Sequence, residues 1–477
     1  MSKFYITTPI YYVNDVPHVG HAYTTLAADV IARYYRQKNG DKNVFFLTGT
    51  DEHGANVAQA AAKHGKTPKE YADEVSPRFQ EAWKLLNIEP DYFIRTTDPR
   101  HEKIAQEILQ KIYDRGYIYP GTYEGWYCLG CERFYAESEL VNGKCQLHPT
   151  RDPIYQKEKN YFLKLQELVE KEVLPRIEKS EYRILPEERH NEIVTRVKQG
   201  VKDISVSRAG VSWGIPIPWD KEQTIYVWVE ALLNYYSATQ FIEGKTKFWP
   251  PDVQFMAKDI VWFHSVIWQA LLVAADLPLP KTIFAHGFFT IDGQKMSKSL
   301  GNVVSPQQLV DKYGVDGSRY LLLSAYQFGS DGDLSLSKFT DRYNADLANG
   351  LGNLVARVAK LAELKRVQLS TASQRLQLHI PTYIEETYAT LVETFQFNVV
   401  LEIIWREIKQ LDIKINQDAL WDKSNEIAQG TIPDYIKDIK QITFALKPFL
   451  PDTAEKILEQ FKGPTITSQP PLFPRIQ

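Results

Sequence analysis

Apolar and polar positions change their period several times along the chain. Residues 4–8 form a short apolar-rich run that predicts a β-strand, and the polar loop TPIYYVNDVPHVGH follows it. The next segment, AYTTLAADVIARYYRQKNG, places Leu26, Val30, Ile31 and Tyr34 at helical spacing, with Gly40 as its C-cap. The continuous apolar run VFFLTG, 44–49, predicts a buried parallel strand. Strand, helix and strand in that order predict a parallel pair joined by a right-handed crossover. Ligands of such sheets bind beyond the carboxyl ends of the strands, which here are the loops 9–21 and 50–54.

From about 118 to 225 the pattern gives way to short segments rich in tyrosine and glycine, such as YIYPGTYEGWYCLGCERFY. This texture predicts an insertion into an α/β domain. Alternation then resumes, with strands expected at 225–228, 255–257 and 282–289 and a helix at 260–275. Ser305, Pro306 and Gln308 read as N-cap, N1 and N3 of a further helix that ends near Gly314. Helical patterns dominate from 338 onward, at 338–366, 382–412, 433–447 and 452–461, and predict a helical bundle. The proline-rich tail GPTITSQPPLFPRIQ is expected to wrap the surface. The resulting division is 1–117 and 225–290 as the two halves of an α/β domain, 118–224 as the insertion, 291–337 as a loop and connecting region, and 338–477 as the helical domain.

Composition narrows the class. A chain of 477 residues with 44% apolar and 24% charged residues is globular, with two to four domains, and is neither disordered nor collagen-like. No apolar stretch approaches the ~20 residues that span a bilayer, and the N-terminus lacks an apolar signal core, so a cytoplasmic protein without a membrane partner is expected. A net charge of -3 means that any nucleic-acid contact must come from local patches. Three cysteines are too few for a disulfide scaffold.

Three clusters carry chemistry. His18 and His21 flank Gly20 where a parallel strand leads into a helix. Histidines three apart share a face there, and a helix N-terminus attracts anions; the alternative is two surface histidines beside a turn. Lys295-Met296-Ser297-Lys298-Ser299, between Asp292-Gly293 and Gly301-Asn302, concentrates two point charges and two hydroxyls on one loop suited to hinge motion; the alternative is a solvated lysine loop. Cys128, Cys131, Cys145 and His148 follow the pattern C-x2-C-x13-C-x2-H and use every cysteine. They fit a closed tetrahedral zinc site with no open position for chemistry, against the alternative of buried reduced thiols beside a chance histidine.

The pair HVGH and KMSKS resembles the two signature motifs of class I aminoacyl-tRNA synthetases, with Val19 where isoleucine is usual. That resemblance implies an ATP·Mg²⁺ cradle of His18, Gly20, His21, Lys295, Ser297 and Lys298, in which His18, His21, Lys295 and Lys298 stabilise the phosphates during adenylate formation. Longer stretches, among them TTPIYYVNDVPHVGH, LTGTDEHG, YCLGCERFY, YVWVEALLNYYSA, KDIVWFHSVIW and NADLANGLGNLVARV, resemble the methionyl-tRNA synthetase family.

The family resemblance implies a methionine pocket of Ile10, Tyr12, Trp228, Ala231, Leu232, Tyr235, Ile260, His264 and Trp268, with Asp51 for the substrate amino group. It further implies anticodon contacts from Asn353, Arg357 and Trp421, where Leu420 stands in place of the family's proline. The implied architecture is α/β: a Rossmann-type parallel-sheet catalytic domain, a connective insertion with one structural Zn²⁺ knuckle at about 126–149, a KMSKS loop and stem-contact region at 291–337, and an all-α anticodon-binding bundle. The implied reaction is methionine activation with ATP and transfer to the 3′-terminal ribose of tRNA(Met), initiator tRNA included. An inactive tRNA-binding paralogue is the alternative, opposed by both intact motifs. The family often has a C-terminal dimerisation module; since the chain stops after the helical domain, a monomer is expected.

Overall fold

Six strands, all paired in parallel, form the central sheet in the order Tyr92–Arg95, Val44–Asp51, Phe4–Tyr12, Val253–Ala257, Thr282–His286, Arg183–Leu185. The computed structural model describes residues 2–14, 16–130, 133–146, 149, 151–291, 293–296, 303–374 and 377–477. The chain divides into two units. The first comprises 1–17, 38–81 and 90–286, and the second 18–37, 82–89 and 287–477.

In the first unit the chain builds outward from Phe4–Tyr12 on one side and later returns to build on the other. The order therefore reverses between Phe4–Tyr12 and Val253–Ala257, the switch point at which doubly wound sheets bind ligands. Both faces of Phe4–Tyr12 and Val44–Asp51 are buried, as their unbroken apolar and hydroxyl runs require. Pro9 lacks an N–H for the ladder, and the register shifts between Thr7 and Ile10. This bulge re-aims Ile10 and Tyr12 at the strand's carboxyl end. Opposite it, a Cβ on Gly49 would lie 2.0 Å from the Ile94 carbonyl oxygen, so no other residue lets the strands approach there.

Residues 118–224 hold two antiparallel sheets. The larger pairs Ile118–Cys128 with Ile154–Leu163, flanked by Arg133–Tyr135 and Ile204–Ser205. The smaller pairs Asp220–Ile225 with Ser207–Arg208 and Pro216–Ile217. The edge strand Arg183–Leu185 of the central sheet also comes from this segment.

Several expectations need correction. The strand expected at 225–228 ends at Ile225, and Val227–Leu232 is a helix. IYVWV satisfies both periods, and the helix formers Glu230, Ala231 and Leu232 decide between them. The helix expected at 260–275 is segmented: a 3-10 turn, Lys258–Ile260, then a π-helical stretch, Phe263–Ile267, and an α-helix, Trp268–Ala274. The strand expected at 282–289 is two strands, Thr282–His286 in the central sheet and Phe289–Ile291 in the second unit.

In the second unit, Phe289–Ile291 pairs antiparallel with Gln294–Lys295 and parallel with Gly332–Leu334. Ser305 caps the helix Pro306–Ser324 in a capping box with Gln308, as its sequence implies. That helix does not end at Gly314. It kinks there (φ 68, ψ 174) and continues for ten residues, because glycine adopts this conformation without strain. The expected helix 382–412 is two, Thr382–Glu393 and Phe397–Asp418, broken at Phe395, whose left-handed backbone is held by its buried ring. The helix expected from 433 starts at Asn425, with Ser424 as cap and Pro433 inside it. The long helical stretch from Leu336 to Leu364 carries a π segment, Tyr343–Gly352. The tail lies across it: the Ile476 amide donates to Asn344 (3.0 Å), Arg475 donates to Asn349 (2.9 Å), and Phe473 packs on Tyr343.

The helix Val19–Asn39 is anchored within this unit by Arg319. Its guanidinium is fully buried and donates to Asp29 Oδ2 (2.7 Å) and to the carbonyls of Leu86, Asn87, Pro448 and Phe449. No helix among the described residues is long and apolar enough to cross a membrane.

Candidate active site

Two groups of residues are brought together, one in each unit. In the first unit, Ile10 and Tyr12 end a central strand and are half-buried, and Asp51 ends the neighbouring one, opposite Tyr12 and 5% exposed. Trp228, Ala231 and Leu232 lie on the helix Val227–Leu232, and Tyr235 on the next helix, Asn234–Phe241. Ile260 ends the 3-10 turn, and His264 and Trp268 follow on the π-helical stretch and the helix behind it. Trp228 stacks on Phe263 at 4.1 Å, and Tyr235 tilts against Trp268 at 5.9 Å. Phe263 also faces a cavity of about 590 Å³ that Tyr226, Trp262 and Ile267 help to line.

The polar groups here have defined proton positions. His264 Nδ1 lies 3.0 Å from the Ile260 carbonyl, which can only accept, so Nδ1 carries the proton. Nε2 is then an acceptor, and the Tyr235 hydroxyl donates to it at 2.7 Å. Burial pushes His264 down to about 4, so the ring is neutral at physiological pH. The His264 carbonyl accepts from the Gln269 side chain five residues on (2.9 Å). Trp268 donates its indole N–H to Gln254 (3.1 Å), so its large ring is held from the sheet side.

Beside this group is a buried cluster that the sequence reading missed. Glu230, 1% exposed, accepts from His53 Nδ1 at 2.9 Å and from His101 Nε2 at 3.1 Å. The signal was present in VWVEALL, since a glutamate inside an apolar helical run is buried only with partners.

In the second unit, His18 and His21 stand at the start of the helix Val19–Asn39 with their rings stacked at 3.8 Å. The Gly20 amide donates to His18 Nδ1 (3.1 Å), and the His18 amide approaches His21 Nδ1 (3.4 Å). With Nδ1 accepting in both rings, a neutral imidazole at either position carries its proton on Nε2. Burial, with His18 adding to it, lowers His21 well below its usual value and keeps it neutral. A Cβ on Gly20 would lie 2.9 Å from the His18 ring, so glycine is what permits this ring position. The Val19 amide donates to the Val304 carbonyl (2.9 Å), which ties the helix start to the chain beyond the lysine loop.

Lys295 pairs with Thr290 in the short hairpin, and Met296 approaches Gly20. Ser297 and Lys298 lie outside the described residues. Asn353 is exposed on the helix Asn353–Leu364, and Arg357, one turn on, pairs with Asp412, donates to Asn416 (2.7 Å) and lies over the Trp421 ring at 5.9 Å. Trp421 is 46% exposed on a 3-10 turn. Leu420 is buried beneath it, and Ala419 takes the left-handed conformation that ends the preceding helix.

Cys128 and Cys145 are buried in one small cluster with Tyr135. Cys131 and His148 lie outside the described residues, and among the described residues no group of three or more metal-ligating side chains converges. Cys145 lies 3.5 Å from the Tyr135 hydroxyl, and two buried thiols are of the donor type that a structural zinc site uses.

A stacked histidine pair at a helix start, tied to the chain that follows the lysine-rich segment, is the arrangement expected of a class I aminoacyl-tRNA synthetase. The comparisons narrow this. Residues 4–152 and 137–359 match the family model for tRNA synthetases class I (M), and the chain belongs to that family. The methionine–tRNA ligase of Caldanaerobacter subterraneus subsp. tengcongensis is 42% identical over 96% of this chain and 73% of the relative. That of Rickettsia conorii is 41% identical over 96% of this chain and 92% of the relative. Among solved structures, Mycobacterium tuberculosis methionyl-tRNA synthetase in complex with methionyl-adenylate superposes with a TM-score of 0.91 at 33% identity, over 100% of both chains. The apo form of that protein gives 0.83 at 30% identity, over 100% of this chain and 99% of that one.

Proposed function

We propose that the chain is a methionine–tRNA ligase that works in two steps. The methionine carboxylate attacks the α-phosphate of ATP·Mg²⁺, forming methionyl-adenylate and releasing pyrophosphate. The 3′-terminal ribose hydroxyl of tRNA(Met), initiator or elongator, then attacks the adenylate carbonyl and AMP leaves.

The observation that carries the reading is the histidine pair. Groups that stabilise a charge developing in the transition state work best when they are held in place beforehand. His18 and His21 meet this condition: each ring accepts at Nδ1, so a neutral ring offers Nε2–H to phosphate oxygens. Gly20 lets the nucleotide approach the helix start, and Lys295, Ser297 and Lys298 add charge and hydroxyls from the loop.

Asp51 takes the methionine ammonium. Ile10, Tyr12, Trp228, Ala231, Leu232, Ile260 and Trp268 enclose the side chain, with Tyr235 and His264 at the thioether. The histidine N–H serves Ile260, so the sulfur meets a pre-set Tyr235–His264 pair and aromatic faces, at ~0.3–1.5 kcal/mol per sulfur–aromatic contact.

Cys128 and Cys145, with Cys131 and His148, would hold one Zn²⁺. When bound, the metal supplies folding energy to the insertion and takes no part in the chemistry. Asn353, Arg357 and Trp421 receive the anticodon, with a base stacked on Trp421.

The test is methionine-dependent ATP–pyrophosphate exchange, with leucine, isoleucine and cysteine in parallel. Exchange with methionine alone is expected. His21→Asn should lower kcat far more than methionine affinity. No exchange with any amino acid from folded protein would leave an inactive tRNA-binding paralogue instead.

A further inference from the structure

The cluster around Glu230 joins the segments that carry the methionine-site residues. Glu230 shares the helix Val227–Leu232 with Trp228, Ala231 and Leu232. Its Oε1 accepts from His53, two residues after Asp51 and just past the strand end. Its Oε2 accepts from His101 on the helix Pro99–Asp114. His101 Nδ1 in turn meets the Ser237 hydroxyl at 2.7 Å, on the helix that carries Tyr235. One carboxylate thus links the ammonium end of the site to both helices at its side-chain end.

We propose that Glu230 is a positioning residue for amino-acid recognition, acting through His53 and His101 to hold Asp51 in fixed register with Trp228 and Tyr235. This inference rests on the reading of the pocket as a methionine site.

Two features make the linkage stiff. All three side chains are at least 96% buried, so a broken hydrogen bond finds no water to replace it. The Asp51 end is braced separately: Glu52 holds Arg95 at 2.6 and 2.9 Å, and Trp213 donates to the Glu52 carbonyl (2.6 Å). Displacement of Glu230 therefore moves the pocket helices relative to a fixed Asp51, which changes the length of amino acid that fits.

His53 faces Glu230, then Glu102 at 3.6 Å, Asp51 on its own segment and the ring of Trp213 at 5.3 Å. His101 reaches it only through Glu230. Burial would lower His53, but the carboxylates outweigh it and raise the ring to about 10. It stays protonated through the assay range, so the cation beside Asp51 is constant in the natural chain.

Glu230→Gln keeps the shape and removes the charge. In pyrophosphate exchange with the full chain, methionine KM should rise by about tenfold or more, the loss typical of a hydrogen bond to a charged group, while ATP KM holds. The pH dependence of methionine KM should also change, because His53 loses its main carboxylate partner while its burial, which lowers it, remains.

A purely structural role would lower the melting temperature and the active fraction but leave methionine KM and its pH profile as in the natural chain, and that result overturns the proposal. If Glu230→Gln does not fold, Ser237→Ala releases the far end of the chain. A rise of a few-fold in methionine KM with ATP KM constant is expected, and no change overturns the proposal. Failure of the natural chain itself to exchange with methionine would instead overturn the reading of the site.

Discussion

Replacing Arg319 with methionine tests what anchors the helix that begins at His18. The guanidinium meets five acceptors, four backbone carbonyls and the Asp29 carboxylate, with no water in reach. Methionine fills much of the volume and returns none of the hydrogen bonds. Removing one partner of a buried pair costs about 3–5 kcal/mol, because the other charge is left behind. Asp29 keeps Arg33 at 2.8 Å and the Glu89 amide at 2.9 Å, which places the expected loss toward the lower end.

The pH dependence of that loss has a definite sign. Burial would push Asp29 up, but Arg319, Arg33 and the Glu89 amide hold it below the usual carboxylate range. Its stabilisation is therefore complete above the unfolded carboxylate value and lost as pH falls through the folded one. Without Arg319 the carboxyl rises, so the variant's deficit should be largest at pH 7.5 and shrink toward pH 5. Urea unfolding at both pH values measures it, and adding Asp29→Asn should recover part of the loss at pH 7.5. A deficit below about 1 kcal/mol, or one independent of pH, would refute the reasoning.

Tyr235→Phe leaves His264 Nε2 buried without its donor, a cost of about 1–3 kcal/mol, and should raise methionine KM about 5- to 140-fold in pyrophosphate exchange. His264, held down to about 4, adds stability that is complete above its unfolded value near 6.5 and is lost as pH falls toward 4; His264→Gln should flatten the acid side of a melting-temperature profile from pH 7.5 to 4.5. Metal analysis should find one zinc per chain, and Cys145→Ser should abolish it and lower the melting temperature. Trp421→Ala should weaken tRNA binding by the ~1–3 kcal/mol of one stacked base, and a change under twofold in a filter-binding assay would count against the stacking role.

What could be read from the chain depended on whether the physics was local. HVGH is a contiguous motif whose residue types state their chemistry, and the helix it opens is written in the spacing of Leu26, Val30, Ile31 and Tyr34. The capping box at Ser305 and Gln308 is equally local, and it is present. Where the deciding interaction lies far along the chain, spacing is silent. Arg183–Leu185 is too short to carry a period, and it is a strand only because Thr282–His286 pairs with it. IYVWV fits two periods, and the helix that follows it decides between them.

The same limit explains the site. Aromatic residues at the thioether end could be named, but the proton on His264 could not, because it is fixed by the Ile260 carbonyl and a tyrosine 29 residues away. His53, His101 and Glu230 come from three separate segments, and the two histidines read as ordinary polar residues. Only Glu230 broke its local pattern, a charge within an apolar run. A residue that violates its surroundings in sequence implies a partner in space, and here the partners join the ammonium and side-chain ends of one site.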